Sequence, residues 1–533
     1  MLREAGISPD ECFMTNVSPR QPPNNEMWRF FYTNAEAKEK GLSTWKMLFP
    51  RTDTSHEISL LFRQLDQVSP DIVIAAGNYA LWVLSSCSSI SNVPTGQGAT
   101  VRVPGGIMSW RGSMLFWQSD CRRIPLLPIV HPAGILRAWY LRAVTVQDLR
   151  ERVPRMYNGW DAPTTDVCAP PSFKEAIDRL TAWARASRPL RLVCDIETHR
   201  RLITVIGFAD DKHSALSIPF IRMNNDKTFG SWWTLDEETA LIILIRKVLQ
   251  NPSILLEGQN FLYDLQYLRR YLGIREVSYF DTMLAHHLLF PGTPKGLDYL
   301  SSLYCAHHIY WKDDGKEWDS KHLGFEKLLQ YNAIDCMRTY ECATVLRKLI
   351  KEQKMEEQWG FECKKAQLAL RMMNRGVAID KAQRARFGFD LQLARERIHA
   401  KLQEIAPRDI AWHSLKGKTT KPWWASPRQT LYLFETLGLP LQHHRKTGNA
   451  TVDAEALFTL RRKAPEWTLL FDLLEDERSV DVFISTFLRA PLDTDGRMRC
   501  SFNIAGTETF RWSSSENAFG SGTNLQNIPK NQE

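Results

Sequence analysis

The chain has 533 residues, 44% of them hydrophobic and 24% charged, a composition that can bury sizeable cores and excludes a mostly disordered protein. Lys and Arg outnumber Asp and Glu by 68 to 60, a net charge of +8. That mild excess is compatible with a polyanionic partner without demanding one. At about 150 residues per domain, three or four domains are expected.

The start, MLREAGISPDE, lacks the apolar core of a signal peptide. The longest uncharged run, Ile72–Val101, is mostly apolar only to Leu84, too short to cross a bilayer, so no membrane partner and a cytoplasmic location are expected. The ten cysteines include no C-x-x-C pair, which reads as reduced thiols. Cys305 with His307 and His308 is the nearest approach to a ligand cluster, but no second Cys/His pair stands at zinc-finger spacing.

Along 1–150, Asp71–Ala75 and Leu126–Val130 read as buried strands, the first followed by Gly77 and a helix through Leu84; an α/β domain with a parallel sheet is predicted. Val153–Pro171, with prolines at 154, 163, 170 and 171, marks a boundary, and 153–187 is expected to be a linker. From 188, the runs RLVCDIETH, LITVIGFADD and SALSIPF predict an antiparallel meander. Helical patterns follow over Glu237–Gln250, Phe261–Leu272, Asp281–Leu289 and Gly324–Lys351, and the last continues past Ile350 without an evident break. Beyond 351 the pattern is mainly helical: Phe361–Asn374, Lys381–Ile405, Pro427–Leu437 and Ala454–Lys463. Within 408–463, ten basic and four acidic residues leave an excess of +6, which suits a phosphate backbone. Trp423 and Trp424, beside Lys418 and Lys421, could stack on bases or simply pack in a helical bundle.

The chemistry concentrates in 195–335. Asp195 and Glu197 stand two apart on a predicted strand, hence on one face. Asn260 and Asp264, and Tyr331 and Asp335, stand four apart in helical patterns, each pair on one helix face. Four carboxylates can thus converge from one strand and two helices. Side by side they resist joint ionisation unless a cation lies between them. Hard cations such as Mg²⁺ take oxygen ligands of this kind, and two of them about 4 Å apart clamp the attacking and leaving oxygens of a phosphodiester. Tyr331 would orient the attacking water or hold the scissile phosphate.

The ordered strings DIE (195–197), NFLYD (260–264) and YNAID (331–335) resemble the three motifs of the DEDD 3′–5′ exonucleases, Tyr-containing subclass. The resemblance implies an RNase H-like domain over 188–350 and removal of nucleotides from a 3′ end with two Mg²⁺ or Mn²⁺ ions. Asp195, Glu197, Asp264 and Asp335 would be the metal ligands, and Tyr331 would assist. Further on, RMMNRGVAID (371–380), SPRQTLYLFETLGLPL (426–441) and TGNATVDAEAL (447–457) resemble the thumb of family A DNA polymerases. SFNIAGTETFRWSSSENAFGSGTNLQNIP (501–529) resembles that family's T-x-T-G-R-x-S-S…P-N-L-Q-N-I-P block, with Phe510 at a position that is usually Gly and an insertion at Asn517–Gly522. This implies a mainly helical thumb over 351–490 and the start of a palm over 491–533. Arg511, Ser513, Ser514, Asn524 and Gln526, together with Asn260, would bind a DNA primer–template or a single-stranded 3′ end. No palm carboxylate motif follows, so polymerisation is not expected from this chain alone, and a second chain carrying the rest is one expectation.

At the other end, ECFMTNVSPRQPPNN (11–25), PDIVIAAGNYAL (70–81) and IVHPAGILR (129–137) resemble the uracil-DNA glycosylase superfamily. That implies an α/β/α domain over 1–152, incomplete at its N-terminus, in which Asn16 would recognise a flipped base and His131 would polarise its carbonyl. The family's iron–sulfur cysteine spacing is not met, so no cluster is expected. The whole reads as a multidomain α/β chain of a phage-like replicative polymerase acting in the host cytoplasm. An RNase D-like exoribonuclease and a non-enzymatic DNA-binding subunit remain as alternatives.

Overall fold

The computed structural model describes all residues except 23, 25, 95–99, 119–121, 225–227, 276, 316–323, 407–421, 446–447 and 529–533. The chain divides into two compact units, one of 1–367 with 504–511, the other of 368–503 with 512–533.

In the first unit, the N-terminal part holds helix α1 (Thr52–Val68), strand β1 (Val73–Ala76), α2 (Asn78–Leu84), β2 (Leu115–Gln118), β3 (Arg123–Ile129), α3 (Pro132–Arg137) and α4 (Leu141–Tyr157). Both sequence-predicted strands form, and β1 pairs β3 in parallel. The sheet is mixed, however, because β2 returns antiparallel on the far side of β3. Gly77 turns β1 into α2 at φ +91, a backbone region that glycine adopts without steric cost.

Residues 153–187 are not a linker. The first of them complete α4; then β4 (Asp166–Cys168) joins the next sheet and α5 (Phe173–Ala184) packs on it. A six-stranded sheet follows in the order β9-β8-β5-β6-β7-β4, with β5 (Leu190–His199), β6 (Leu202–Asp211), β7 (Ser214–Pro219), β8 (Ile254–Gly258) and β9 (Tyr279–Asp281). The meander β5–β6–β7 is antiparallel as predicted, while β4, β8 and β9 add in parallel to their neighbours. Strand alternation sends neighbouring residues to opposite faces. On β6, Phe208 meets Trp183 of α5, and Gly207 faces Asn332 and Cys336 of the long helix α10 (Gly324–Glu352). Between β7 and α10 lie α6 (Leu235–Leu249, packed with α5), α7 (Leu262–Leu272), α8 (Thr282–Leu289) and α9 (Leu297–Tyr304).

The helix pattern through Ile350 breaks. Lys354 takes φ +55, its N–H bonds Lys351 O, and the Met355 N–H bonds Ile350 O. This is the paired hydrogen-bond pattern of a Schellman C-cap, closed by Ile350–Met355 apolar contact. Helix α11 then runs Glu356–Arg375.

The second unit gathers α12 (Lys381–Ile405), α13 (Pro427–Thr436), α14 (Ala454–Lys463) and α15 (Thr468–Phe483) around a core that includes Leu402, Leu433, Phe434, Leu457 and Phe471. Trp423 and Trp424 are buried in that core at 7% and 8% exposure, so they pack and do not offer faces for stacking; Lys418 and Lys421 lie outside the described residues. Strands β10 (Cys500–Asn503) and β11 (Ser513–Glu516) form an antiparallel pair. Among the described residues no helix is long and apolar enough to cross a membrane.

Candidate active site

Strand β5 sets the first two carboxylates. Its pairing with β8 covers only Leu190–Val193, so from Asp195 onward its backbone on that side is free of a strand partner. The Ile196 N–H left over there donates to Asp264 Oδ1 at 2.9 Å. Asp264 stands in the first turn of α7 and is buried. On the other side, β5 pairs β6 with a register shift between Glu197 and Thr198; such a bulge locally kinks and twists the strand and re-aims side chains beside a site.

Helix α10 lies across β5, β6 and β7 and brings Tyr331 and Asp335 to them. Close approach is possible because Gly207, opposite Asp195 in the β5–β6 register, has no side chain. A Cβ there would stand 2.1 Å from Asn332 Oδ1 and 2.8 Å from Cys336 Sγ. Asn332 Nδ2 donates to Asp195 Oδ2 at 2.8 Å, and its Oδ1 accepts from Ser217 Oγ at 2.8 Å.

Carboxylate oxygens of Asp195, Glu197 and Asp335 lie within 4.8 Å of one another, about the span across a single cation with ligands at roughly 2.1–2.4 Å. Burial first, then mutual repulsion, raises these acids. Asp195 is pushed up to about 7 by burial and the charge of Asp335. Glu197 is raised well above the usual range by burial, Asp195 and Asp335. Asp264 is likewise raised by burial and Asp195, and burial raises Asp335. Acids so crowded favour a divalent cation, which lets them ionise together. The trio fits such an ion by geometry and donor chemistry. Of the four expected ligands the structure brings three together, and it holds Asp264 beside them on the Ile196 amide.

Two groups in contact with Asp335 carried no sequence signal. Trp311 Nε1 donates to its Oδ1 at 2.6 Å, and Lys312 Nζ to its Oδ2 at 2.6 Å. Lys312 also donates to Tyr331 Oη at 2.8 Å. Its charge partly offsets the upward push on Asp195 and Glu197. Away from Asp335, Asp281 also carried no sequence signal: its Oδ1 accepts from the Asn260 and Met283 amides and its Oδ2 from the Phe261 amide, which ties the turn before α7 to the start of α8.

Asn260 does not share a helix face with Asp264. It precedes α7 with φ +55, a left-handed conformation that asparagine tolerates better than most residues, and its side chain is exposed. At the C-terminal block, Ser514 Oγ donates to Asn524 Oδ1, which also accepts the Gln526 N–H at 3.0 Å. Ser513 pairs with Asn503 across β10–β11, Gln526 is exposed, and Arg511 is exposed with its N–H on Thr507 Oγ1. Phe510 has φ +59, so the position the resemblance assigns to glycine does adopt a left-handed backbone. In the N-terminal part, His131 caps α3 through Nδ1 and packs on the Cα of Gly77. Asn16 lies exposed, and among the described residues no hydrogen bond joins it to His131.

Comparison with known proteins agrees with these parts. Residues 195–351 match the family model described as 3′-5′ exonuclease, and residues 1–151 match that of the uracil DNA glycosylase superfamily. The chain is 28% identical over 304 residues to DNA polymerase I of Rhizobium leguminosarum, covering 54% of this chain and 27% of that one. It is 22% identical over 321 residues to the DNA polymerase of Bacillus phage SP01, covering 55% and 29%. The chain therefore spans under a third of the length of these relatives. Among solved structures, the POL domain of Pol1 from M. smegmatis in complex with DNA primer-template and dNTP is similar at TM-score 0.47 and 21% identity, covering 67% of this chain and 55% of that one. The chain thus carries, in a sequence similar to DNA polymerase I, a stretch matching the uracil DNA glycosylase superfamily and a stretch matching 3′-5′ exonucleases in which Asp195, Glu197 and Asp335 meet.

Proposed function

We propose that this chain hydrolyses DNA from its 3′ end, as the proofreading portion of a family A replicative polymerase. The observation that carries the reading is the meeting of Asp195, Glu197 and Asp335 within 4.8 Å, inside the stretch that matches an exonuclease. Two Mg²⁺ or Mn²⁺ ions bound there would supply Lewis-acid stabilisation of the phosphate and an activated water. Asp195, Glu197 and Asp335 would hold them, and Asp264 would be the fourth ligand through the oxygen the Ile196 amide leaves unused. Asn332 fixes the rotamer of Asp195. Tyr331, whose oxygen accepts from Lys312 and whose hydroxyl also bonds Asp335, would orient the incoming water or hold the scissile phosphate.

Arg511, Ser513, Ser514, Asn524 and Gln526 are proposed contacts to a primer–template, and Asn260 to the frayed 3′ strand. Residues 1–151 serve in this reading as a DNA-binding module with weak glycosylase chemistry or none. This reading places the activity in the cytoplasm of the cell or host.

The test is digestion of 3′-labelled DNA and RNA oligonucleotides with Mg²⁺. Asp195→Ala and Asp264→Ala should each lower the rate on DNA by about a thousandfold or more while DNA binding is retained. Unchanged digestion by either variant would overturn the assignment, and a strong preference for RNA ends would replace DNA as the substrate.

A further inference from the structure

Lys312 and Trp311 reach Asp335 from the segment that follows α9, and the N-terminal domain holds that segment. Arg111 is bidentate to Asp148, both almost wholly buried, and its remaining nitrogen donates to Ser302 Oγ at 2.9 Å. Arg152 places one nitrogen on the carbonyls of Cys305 and Ala306 and another on that of Ser302, all at 2.8 Å. Carbonyls at a helix C-terminus have no intrahelical partner, and here an arginine from another domain satisfies them. Immediately before Trp311 the two domains exchange hydrogen bonds: the Met114 N–H bonds His308 O at 2.8 Å, and the Tyr310 N–H bonds Ser113 Oγ at 3.1 Å. Trp110 packs on Tyr310 and Trp160 stacks on His307. Within the exonuclease fold the segment is also tied by the Ala306 N–H on Glu341 Oε1 and by His308 on Ser301 Oγ; the bonds from the N-terminal domain add to these, and Lys312 follows Tyr310 by two positions.

We propose that the N-terminal domain completes the exonuclease centre by anchoring 302–310, so that Lys312 is held as a fixed cation between Tyr331 and Asp335 and acts as a positioning residue for hydrolysis. This rests on the exonuclease reading above. Lys312 and Trp311 together engage both oxygens of Asp335, which fixes the carboxylate plane. Lys312 donates to the Tyr331 oxygen, whose hydroxyl in turn bonds Asp335, so the lysine fixes the phenol and the carboxylate together. The lysine also competes with a metal ion for Asp335 Oδ2. Its loss therefore has two effects of opposite sign: an ion binds the more negative cluster more tightly, while the unpositioned Tyr331 and Asp335 slow the reaction. A merely structural defect lowers both.

The experiment uses the full chain, with Mn²⁺ binding followed by electron paramagnetic resonance and hydrolysis followed on a single-stranded DNA oligonucleotide. Lys312→Met should bind Mn²⁺ about threefold more tightly or better and lower the rate about tenfold or more. Arg152→Met should show the same split, and on the Lys312→Met background it should change neither quantity further, since it acts through the lysine. Should Arg152→Met fail to fold by thermal melting, Ser113→Ala, which deletes a single bond to the Tyr310 amide, decides in its place. Affinity and rate falling together, or anchor effects adding to those of Lys312→Met, overturn the proposal. Asp195→Ala separates the two levels. If it retains Mn²⁺ binding and hydrolysis, the exonuclease reading is wrong; if it loses both while Lys312→Met behaves as wild type, only the anchoring role is wrong.

Discussion

Gly207 shows how much one absent atom decides at this site. Helix α10 can seat Asn332 against Asp195 only because no Cβ projects from β6 at the point facing it. Gly207→Ala forces a methyl group to 2.1 Å from the amide oxygen of Asn332, a close-packed position where overpacking costs about 1–3 kcal/mol. The variant should melt earlier and digest 3′ ends more slowly, because relief comes by pushing α10, with Tyr331 and Asp335, away from β5. A calorimetric scan with a rate measurement checks this; an unchanged rate would show that α10 does not need this close contact. At the same scale, Asp195, Glu197, Tyr331 and Asp335 were legible as residues because their spacing survives in the linear chain. Trp311, Lys312 and Asn332 were not, since a lysine or tryptophan in a loop carries no period and gains its meaning only from the carboxylate it meets.

Elements were legible where local chemistry and tertiary packing agree. The β5–β6–β7 meander and α6, α7, α8 and α10 fall close to their predicted bounds. The failures have separate causes. The stretch 153–187 was read from its prolines, although Ser172 and Glu175 form a capping box that starts α5, a signal visible in the sequence. The break after α10 was hidden because its left-handed residue is a lysine where glycine is usual. That mismatch is a prediction in itself. Lys354 is exposed, so Lys354→Gly removes the strain of a side chain at φ +55 and should stabilise the first unit by about 1 kcal/mol. The midpoint of urea denaturation should rise; a fall would mean that the lysine side chain contributes more than its backbone costs. Asn260 was placed on a helix face because N-x-x-x-D fits helical spacing, yet Asp281 collects the amides of that turn and starts the helix two residues later.

At the scale of the molecule, the contact between the N-terminal and exonuclease domains buries titratable groups that no spacing rule reveals. Burial holds His308 well below its ordinary value of 6.5 and His307 at about 4. Both are neutral in the folded chain near pH 7. The unfolded chain takes up a proton at each below about 6.5, so the stability they contribute is full above that pH and falls as the pH drops toward the depressed folded values. His308→Gln should therefore show a shallower loss of denaturation midpoint between pH 7 and 5 than wild type. Parallel curves would contradict a neutral, buried His308.

The crowding of Asp195, Glu197, Asp264 and Asp335 reaches beyond hydrolysis. Folding alone must confine like charges that the unfolded chain keeps far apart, so ion binding and folding share one free energy. Each tenfold increase in free Mg²⁺ above its dissociation constant should add about 1.4 kcal/mol per bound ion to unfolding. Melting with a chelator and then with graded Mg²⁺ reads this directly. A melting point indifferent to the ion would mean that the acids bear their mutual repulsion unaided; a rising one makes the concentration of divalent salt a determinant of how long the enzyme survives heating.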